Sequence, residues 1–98
     1  TKQDMIPMLL GNSEKAFPAR FPEFTKLSSN QFEIDSHKAG EVIFTYRAPA
    51  GSTTEQRFIL IDKDGNTAIY LSFQSKASDF DALNERYFTP ILDSLNLN

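Results

Sequence analysis

The residues of this sequence that could carry acid–base or metal chemistry are few. His37 is the only histidine, and there is no cysteine. The sequence therefore has too few His and Cys residues for a zinc site built from several such ligands, and it has no thiolate nucleophile. A Ser-His-Asp triad would depend on His37 alone. His37 stands in the polar segment 36–40, which is typical of a turn between strands. We interpret it as an ordinary exposed histidine.

Two pairs of closely spaced carboxylates are the next candidates, Asp62 with Asp64 and Asp79 with Asp81. An acid–base pair needs burial to separate its two pKa values, whereas turns and the first turns of helices are exposed to solvent. We therefore interpret both pairs as structural. Segment 62–66 resembles the start of a calcium loop but lacks the third ligand and the later Glu. The four glycines stand singly, so no phosphate-binding loop is present. We expect no enzyme activity, no metal and no cofactor.

Composition restricts the class of protein further. The chain has 98 residues, 40% of them hydrophobic, and a net charge of -3. This suits a single domain over residues 1–98. An acidic balance speaks against nucleic acid as a partner, because phosphate binding needs clustered positive charge. The apolar runs are far shorter than the roughly 20 residues that cross a bilayer, so we expect no transmembrane segment.

The N-terminal part of the chain predicts a helix over residues 3–16. Asp4 is a candidate N-cap and Gly11 offers an early stop, so whether the helix continues to residue 16 stays open. The helical spacing is carried by Met5, Met8 and Leu9. Segment 17–24 holds two prolines and predicts an extended connector. Its three phenylalanines either cover the edge of the core or form an exposed patch; we favour the cover.

Four stretches of alternating hydrophobicity predict strands. They are residues 24–34, 41–48, 54–62 and 66–74. Asp64-Gly65 is a strong signal for a two-residue hairpin loop, which pairs Leu60 with Ile69 and Ile59 with Tyr70. Pairing Phe44 with Phe58 across the preceding loop completes the sheet.

This register divides the sheet into two faces. The oily face carries Val42, Phe44, Tyr46, Gln56, Phe58, Leu60, Ile69, Leu71 and Phe73. The mixed face has an apolar half of Ile43, Ile59, Ile61, Ala68 and Tyr70, and a polar half of Thr45, Arg47, Glu55, Arg57, Ser72 and Gln74. Arg47 pairs with Glu55 across the strands in this arrangement.

The C-terminal part predicts an amphipathic helix that begins at the N-cap Ser78. Pro90 should kink this helix or split it after Thr89. Its apolar stripe consists of Phe80, Leu83, Tyr87, Phe88, Ile91, Leu92 and Leu95. We expect the stripe to cover the oily face. The fold class is thus α+β: an antiparallel sheet of about four strands flanked by an N-terminal and a C-terminal helix.

The order of these elements resembles the PsbP-like domains. The resemblance rests on the alternating run 68–73, on Phe80, Phe88 and Pro90, and on the segment 91–95, and it covers the chain from Phe24 onward. It implies an α/β/α sandwich with a non-enzymatic docking or ligand-binding role. Many relatives of this family are secreted or lipid-anchored, which suggests an extracytoplasmic location. The family usually has an extra strand hairpin before its first helix, which this chain lacks.

The mixed face is the candidate binding surface. Its site residues are Thr45, Arg47, Arg57, Tyr70 and Ser72. One interpretation gives the whole face to the first helix; the other makes the polar half a recognition site for an anion or a partner loop. On the second interpretation, Arg57→Ala would weaken binding and leave folding nearly intact. The function we expect is protein binding to an unidentified partner, and the alternative is a small-molecule or lipid carrier. An unprotected strand edge also predicts a homodimer.

Overall fold

The computed structural model describes residues 5–97, and it has a four-stranded antiparallel sheet between two helical layers. The elements are helix α1 (Met5–Arg20), strands β1 (Thr25–Ile34), β2 (His37–Arg47), β3 (Thr53–Asp62) and β4 (Ala68–Lys76), helix α2 (Ala77–Leu83), a π-helical turn (Asn84–Phe88) and helix α3 (Thr89–Asp93). The strands lie in the order β1-β2-β3-β4. This is the α+β fold with an N-terminal and a C-terminal helical segment that the sequence predicts.

Helix α1 is longer than the hydrophobic spacing predicts. It continues through Gly11 and Pro18 to Arg20, so the extended connector predicted over residues 17–24 is wrong for its first half. Phe17 explains the continuation, because its side chain is 5% exposed and packs in the core from within the helix. Burial of this large aromatic side chain offsets much of the cost of the proline, which removes one backbone hydrogen bond. The N-cap predicted at Asp4 lies outside the described residues.

An aromatic cluster joins α1 to the sheet. Phe44 of β2 is fully buried, and its ring centroid lies 5.0 Å from those of both Phe17 and Phe24 and 5.1 Å from that of Phe21. Phe21 and Phe24 are only partly buried and pack against this core from its rim. Phe21 and Phe24 therefore cover the edge of the core, as we expected, whereas Phe17 belongs to the core itself.

Gly40 of β2 lets α1 approach the sheet closely. A Cβ atom at this position would lie 2.8 Å from the Cγ2 atom of Ile6 and 3.2 Å from the Cδ2 atom of Leu10. Both distances are shorter than ordinary van der Waals contact. The missing side chain thus sets where the first turns of α1 rest.

The connection between β3 and β4 is longer than the predicted hairpin loop. Asp62 pairs with Ala68, so residues 63–67 form the connection, and the N–H of Lys63 donates to the carbonyl of Thr67. Gly65 has a φ of 86°, which confirms a glycine-dependent turn at this point. The observed pairs are Leu60 with Tyr70, Ile59 with Leu71 and Phe58 with Ser72. The predicted register of β4 is therefore wrong by one residue.

In the pairing of β2 with β3, each side chain lies on the face of the sheet that the sequence predicts. Phe44 lies opposite Gln56 instead of Phe58, and a shift of two residues leaves every side chain on its own side of the sheet. Val42, Phe44 and Tyr46 accordingly share a face with Leu60, as the sequence predicts.

The β2 and β3 residues of the oily face pack against α1, so the prediction that the face meets the C-terminal helix is wrong for these two strands. Leu60 lies in the core formed with Ile6 and Leu10. Leu71 packs on the opposite side, in the core that contains Ile59 and Leu92 of α3. Because β4 is shifted by one residue, Leu60 and Leu71 look in opposite directions. Each face of the sheet therefore has its own apolar core.

The C-terminal helical segment is interrupted where Pro90 requires it. Helix α2 has Lys76 as its N-cap and no side-chain capping bond, so Ser78 is not the cap. In the π-helical turn the N–H of Thr89 donates to the carbonyl of Asn84, five residues back. Pro90 then lies in the first turn of α3, where a missing N–H costs little. The break falls one residue before the predicted split.

The π-helical turn also changes which residues face the sheet. Phe80 and Leu92 are buried, whereas Tyr87 and Ile91 are 50% and 49% exposed. The predicted apolar stripe is thus only partly covered.

Across residues 5–97, the helices are too short or too polar to span a bilayer.

Candidate functional site

The five predicted binding residues lie on both faces of the sheet. Thr45, Arg47 and Arg57 alternate onto the side of the C-terminal helical segment, as the pairs Thr45–Glu55 and Ile43–Arg57 show. Tyr70 and Ser72 lie on the α1 side, opposite Leu60 and Phe58. The prediction that all five share one face is wrong because it depended on the register of β4.

Arg57 is the centre of a buried polar network. Its side chain is sandwiched between the sheet and the C-terminal helical segment, and residue Arg57 is 8% exposed. Its Nε–H donates a hydrogen bond to Oε2 of Glu41, with Nε and Oε2 2.5 Å apart. Its NH1 group donates to Oδ1 of Asn84 at 3.0 Å and to Oγ1 of Thr89 at 3.1 Å. Arg57 therefore fastens the two ends of the π-helical turn to β2 and β3.

This burial changes the expected role of Arg57. Glu41 is also 8% exposed, so removing the guanidinium would leave a buried carboxylate without its counter-charge. The expectation that Arg57→Ala leaves folding nearly intact does not fit this environment. Arg57 links the sheet to the C-terminal helical segment and is buried away from solvent.

Tyr70 borders an open groove between α1 and β4, and Ser72 lies on the same side of β4. Helix α1 lies over β2 and β3, and the α1 side of β4 is exposed, with Tyr70 at 63%. Ser72 accepts a hydrogen bond from Nε2 of Gln56. The groove has a volume of about 500 Å³. It is lined by Leu9, Asn12, Ser13, Ala16, Phe17, Arg20, Phe58 and Tyr70.

Arg47 lines a larger depression, which we name the loop-end basin. It lies between the C-terminal end of α1 and the β2–β3 loop, and it is lined by residues 20–22 and 46–51. Its volume is about 760 Å³. A more polar depression of about 360 Å³ shares Tyr46, Arg47 and Gly51 with it and includes Thr45. Two of the five predicted residues, Thr45 and Arg47, therefore belong to one continuous surface.

Backbone hydrogen bonds give the loop-end basin its shape. The N–H of Arg47 donates to the carbonyl of Pro22 at 2.8 Å, which ties β2 to the end of α1. The N–H of Gly51 donates to the carbonyl of Ala48 at 2.8 Å. Gly51 has a φ of 91°, a conformation that favours glycine. The walls of the basin are thus held by the main chain.

The floor of the basin is aromatic and its rim is cationic. The ring centroids of Phe21 and Tyr46 lie 4.7 Å apart. The guanidinium of Arg20 lies 5.7 Å from the centroid of Phe21, within the range of a cation–π contact. The NH1 group of Arg47 donates to Oε2 of Glu23 at 3.2 Å, and both side chains are more than half exposed. The basin can therefore accept an apolar group beside an anion.

Sequence reasoning found only part of this surface. Alternation along β2 predicted Arg47 and Thr45, which line the loop-end basin and the depression next to it, but Arg20 and Tyr46 of the basin were not predicted. Arg20 was missed because the helix was expected to end before it. The run Pro49-Ala50-Gly51 marks the loop in the sequence, yet nothing in the sequence says that α1 ends beside it.

His37 and the carboxylate pairs take structural positions. His37 begins β2, is partly buried, and its Nδ1 atom lies 2.9 Å from the carbonyl oxygen of Asp62, so the expected exposed turn histidine is instead part of the sheet. The Asp64 carboxylate accepts hydrogen bonds from the N–H groups of Asn66 and Thr67, which lower its pKa because they favour the charged form. Within residues 5–97, no three His, Asp or Glu side chains converge as metal ligands would.

Glu55 is a carboxylate with a raised pKa. Partial burial on β3 is the main cause, and the nearby charge of Asp81 on α2 adds to it. Both effects disfavour the ionised form. Glu55 lies opposite Thr45, and the cross-strand pair expected between Arg47 and Glu55 is not formed: Arg47 lies opposite Thr53 and bonds Glu23.

Comparison with known proteins gives a fold neighbour and no family. No protein-family model and no curated protein sequence matches the chain. A similar solved structure is the crystal structure of PA94 from Pseudomonas aeruginosa, a protein of unknown function described as a candidate regulator. The match has a TM-score of 0.80 at 12% sequence identity and covers 92% of this chain. The chain spans 60% of the length of PA94. At this identity the likeness shows that the two proteins share a fold.

Proposed function

We propose that this chain is a non-catalytic protein-interaction domain of PsbP-like type and that its loop-end basin docks the partner protein. The observation that carries the proposal is the open basin lined by the aromatic rings of Phe21 and Tyr46 together with Arg20 and Arg47. Aromatic and arginine side chains are the types enriched at protein interfaces.

The chemistry of the basin favours a partner segment with an apolar side chain next to an acidic one. The apolar side chain packs on the Phe21 and Tyr46 rings. The acidic side chain replaces Glu23 as the ligand of Arg47; the Arg47–Glu23 pair is exposed, and exposed pairs of this kind contribute only about 0–1 kcal/mol. Exchanging one carboxylate for another therefore costs little.

The architecture supports the PsbP-like part of the proposal. The antiparallel sheet between an N-terminal and a C-terminal helical layer is the arrangement that the sequence resemblance implies. The alternative function, a small-molecule or lipid carrier, receives less support. A carrier encloses most of the surface of its ligand, whereas the loop-end basin and the α1–β4 groove are open to solvent.

Site-specific photo-crosslinking in cells of the native host tests the proposal. A benzophenone amino acid replaces Ala50, an exposed residue of the basin wall, and in a control it replaces Asn66, an exposed residue of the β3–β4 connection. We expect a discrete protein adduct from position 50 and none from position 66. Arg47→Glu in the position-50 variant should reduce the adduct severalfold, since it reverses the rim charge.

The control for Arg47→Glu is Glu23→Gln, which removes the competing carboxylate and should preserve or increase the adduct. Equal adducts from positions 50 and 66, or an adduct that Arg47→Glu does not change, would remove the loop-end basin as the docking surface.

A further inference from the structure

The sheet has two edges, and β1 is the protected one. The pairing of β1 with β2 is irregular between Lys26 and Ser28, where Leu27 is the extra residue of a bulge. Charged side chains also stand on this strand, among them Lys26, which pairs with Glu14 of α1 at 2.9 Å, and Glu33. Bulges and charges are the devices that keep an edge strand from pairing with another chain.

The opposite edge, β4, lacks these devices. Residues 68–75 contain no charged side chain and no proline, and their pairing with β3 is regular along the whole strand. Ile69, Leu71 and Phe73 point toward the C-terminal core, while Tyr70 on the other side is 63% exposed. Within residues 5–97, β3 is the only strand that pairs with β4, so the outer main-chain groups of β4 have no strand partner there.

We propose that the β4 edge pairs with the β4 edge of a second copy of this chain, in antiparallel register centred on Ser72. In this register residue 68 of one copy lies opposite residue 76 of the other, residue 72 lies opposite its own equivalent, and all nine residues of β4 take part in the pairing. The two four-stranded sheets thereby become one. This dimer interface lies at the β4 edge of the sheet, opposite the protected β1 edge. It does not depend on the function proposed for the loop-end basin.

The side chains of β4 suit this self-pairing. Opposed residues in an antiparallel pair lie on the same face. Leu71 of one copy therefore lies beside Phe73 of the other, next to the C-terminal core, and Tyr70 lies beside Gln74 on the α1 side. Lys76, the one charged residue of the strand, lies opposite Ala68. The two lysines stand at opposite ends, about 27 Å apart along the strand direction, so no like charges meet.

Disulfide trapping tests the register directly, because the chain contains no cysteine. In Ser72→Cys the two thiols would face each other across the twofold axis. Opposed Cα atoms in antiparallel strands lie about 4.5–5.5 Å apart, within the range that a disulfide spans. We expect most of this variant to run as a covalent dimer on a non-reducing gel after mild oxidation.

Ser29→Cys is the matched control, since Ser29 is an exposed serine on the protected β1 edge; we expect it to stay monomeric under the same oxidation. Equal cross-linking of the two variants would indicate random collision and overturn the proposal, as would a Ser72→Cys variant that stays monomeric while retaining the circular dichroism of the unmodified protein.

A second pair of variants keeps the test decisive if Ser72→Cys does not fold. Tyr70→Cys and Gln74→Cys proteins of different tag length should form the mixed disulfide when combined, and neither should cross-link with itself to the same extent. Ser72→Lys places like charges opposite each other and should raise the dimer dissociation constant about fivefold or more by sedimentation velocity; Ser29→Lys should not change it. Failure of the mixed disulfide and an unchanged dissociation constant would both contradict the register.

Discussion

The two faces of the sheet are covered in different ways. On the α1 side Val42, Phe44 and Leu60 are fully buried and the core cluster is apolar. On the other side Ile59 and Ile61 are equally buried, but the Arg57–Glu41 ion pair lies beside them. Apolar burial has no preferred direction, whereas hydrogen bonds do. The uninterrupted helix α1 is therefore positioned by shape, and the broken C-terminal segment by directional bonds to its π-helical turn.

The largest effect is expected on the apolar side. Phe44→Ala removes the ring that contacts Phe17, Phe21 and Phe24, and it should lower the free energy of unfolding by roughly 3–5 kcal/mol. Urea denaturation followed by circular dichroism measures this loss. Leu27→Ala, at a residue 53% exposed, is the control and should change stability by less than about 0.5 kcal/mol. A loss below 1 kcal/mol for Phe44→Ala would contradict the cluster as the centre of this face.

The polar side should respond to single and paired substitutions differently. Arg57→Met leaves the Glu41 carboxylate buried without a counter-charge, so we expect a loss of about 3 kcal/mol. Adding Glu41→Leu removes that charge, and the double variant should recover most of the loss. The same denaturation experiment gives both values. If the two substitutions were simply additive, the Arg57–Glu41 pair would not act as one unit and the contrast between the faces would fail.

The smallest effect concerns Glu55 and depends on pH. Its raised pKa means that the folded state binds a proton more tightly than the unfolded chain, so stability falls as the pH rises from below 4.5 through the raised value. Glu55→Gln removes the ionisable carboxyl and with it the free-energy cost of holding a charged, partly buried Glu55 in the folded state. The melting temperature should rise at neutral pH and stay unchanged well below pH 4.5. Asp79→Asn, on the same helix as Asp81, is the comparison variant, and an equal rise there would point to general charge reduction.

The sequence was sufficient for the elements and insufficient for their assembly. Alternation and helical spacing identified four strands and two helical segments, because burial on one side leaves a period in the sequence. The turn at Asp64-Gly65 was correctly located, but its length was not. Asp62 and Asp64 accept main-chain hydrogen bonds from Gly65, Asn66 and Thr67, which stabilise a longer connection and shift β4 by one residue.

The same shift explains what was missed at the candidate site. It moved Tyr70 and Ser72 away from Arg57 and onto the α1 side. Arg47 is exposed, whereas Arg57 is buried, because its partners come from two distant parts of the chain: Glu41 from β2, and Asn84 and Thr89 from the C-terminal helical segment. Such partners cannot be recognised before the tertiary structure is known.

The π-helical turn at Asn84–Phe88 acts as a one-residue insertion in an otherwise α-helical path. Deleting one residue there would return the path to 3.6 residues per turn and rotate everything downstream by roughly 100°. Ile91 would then compete with Leu92 for the sheet, and Leu95 and Leu97 would lose their packing against the core that contains Ile59 and Leu92. The rotational phase of the C-terminus is thus set by a single residue of chain length.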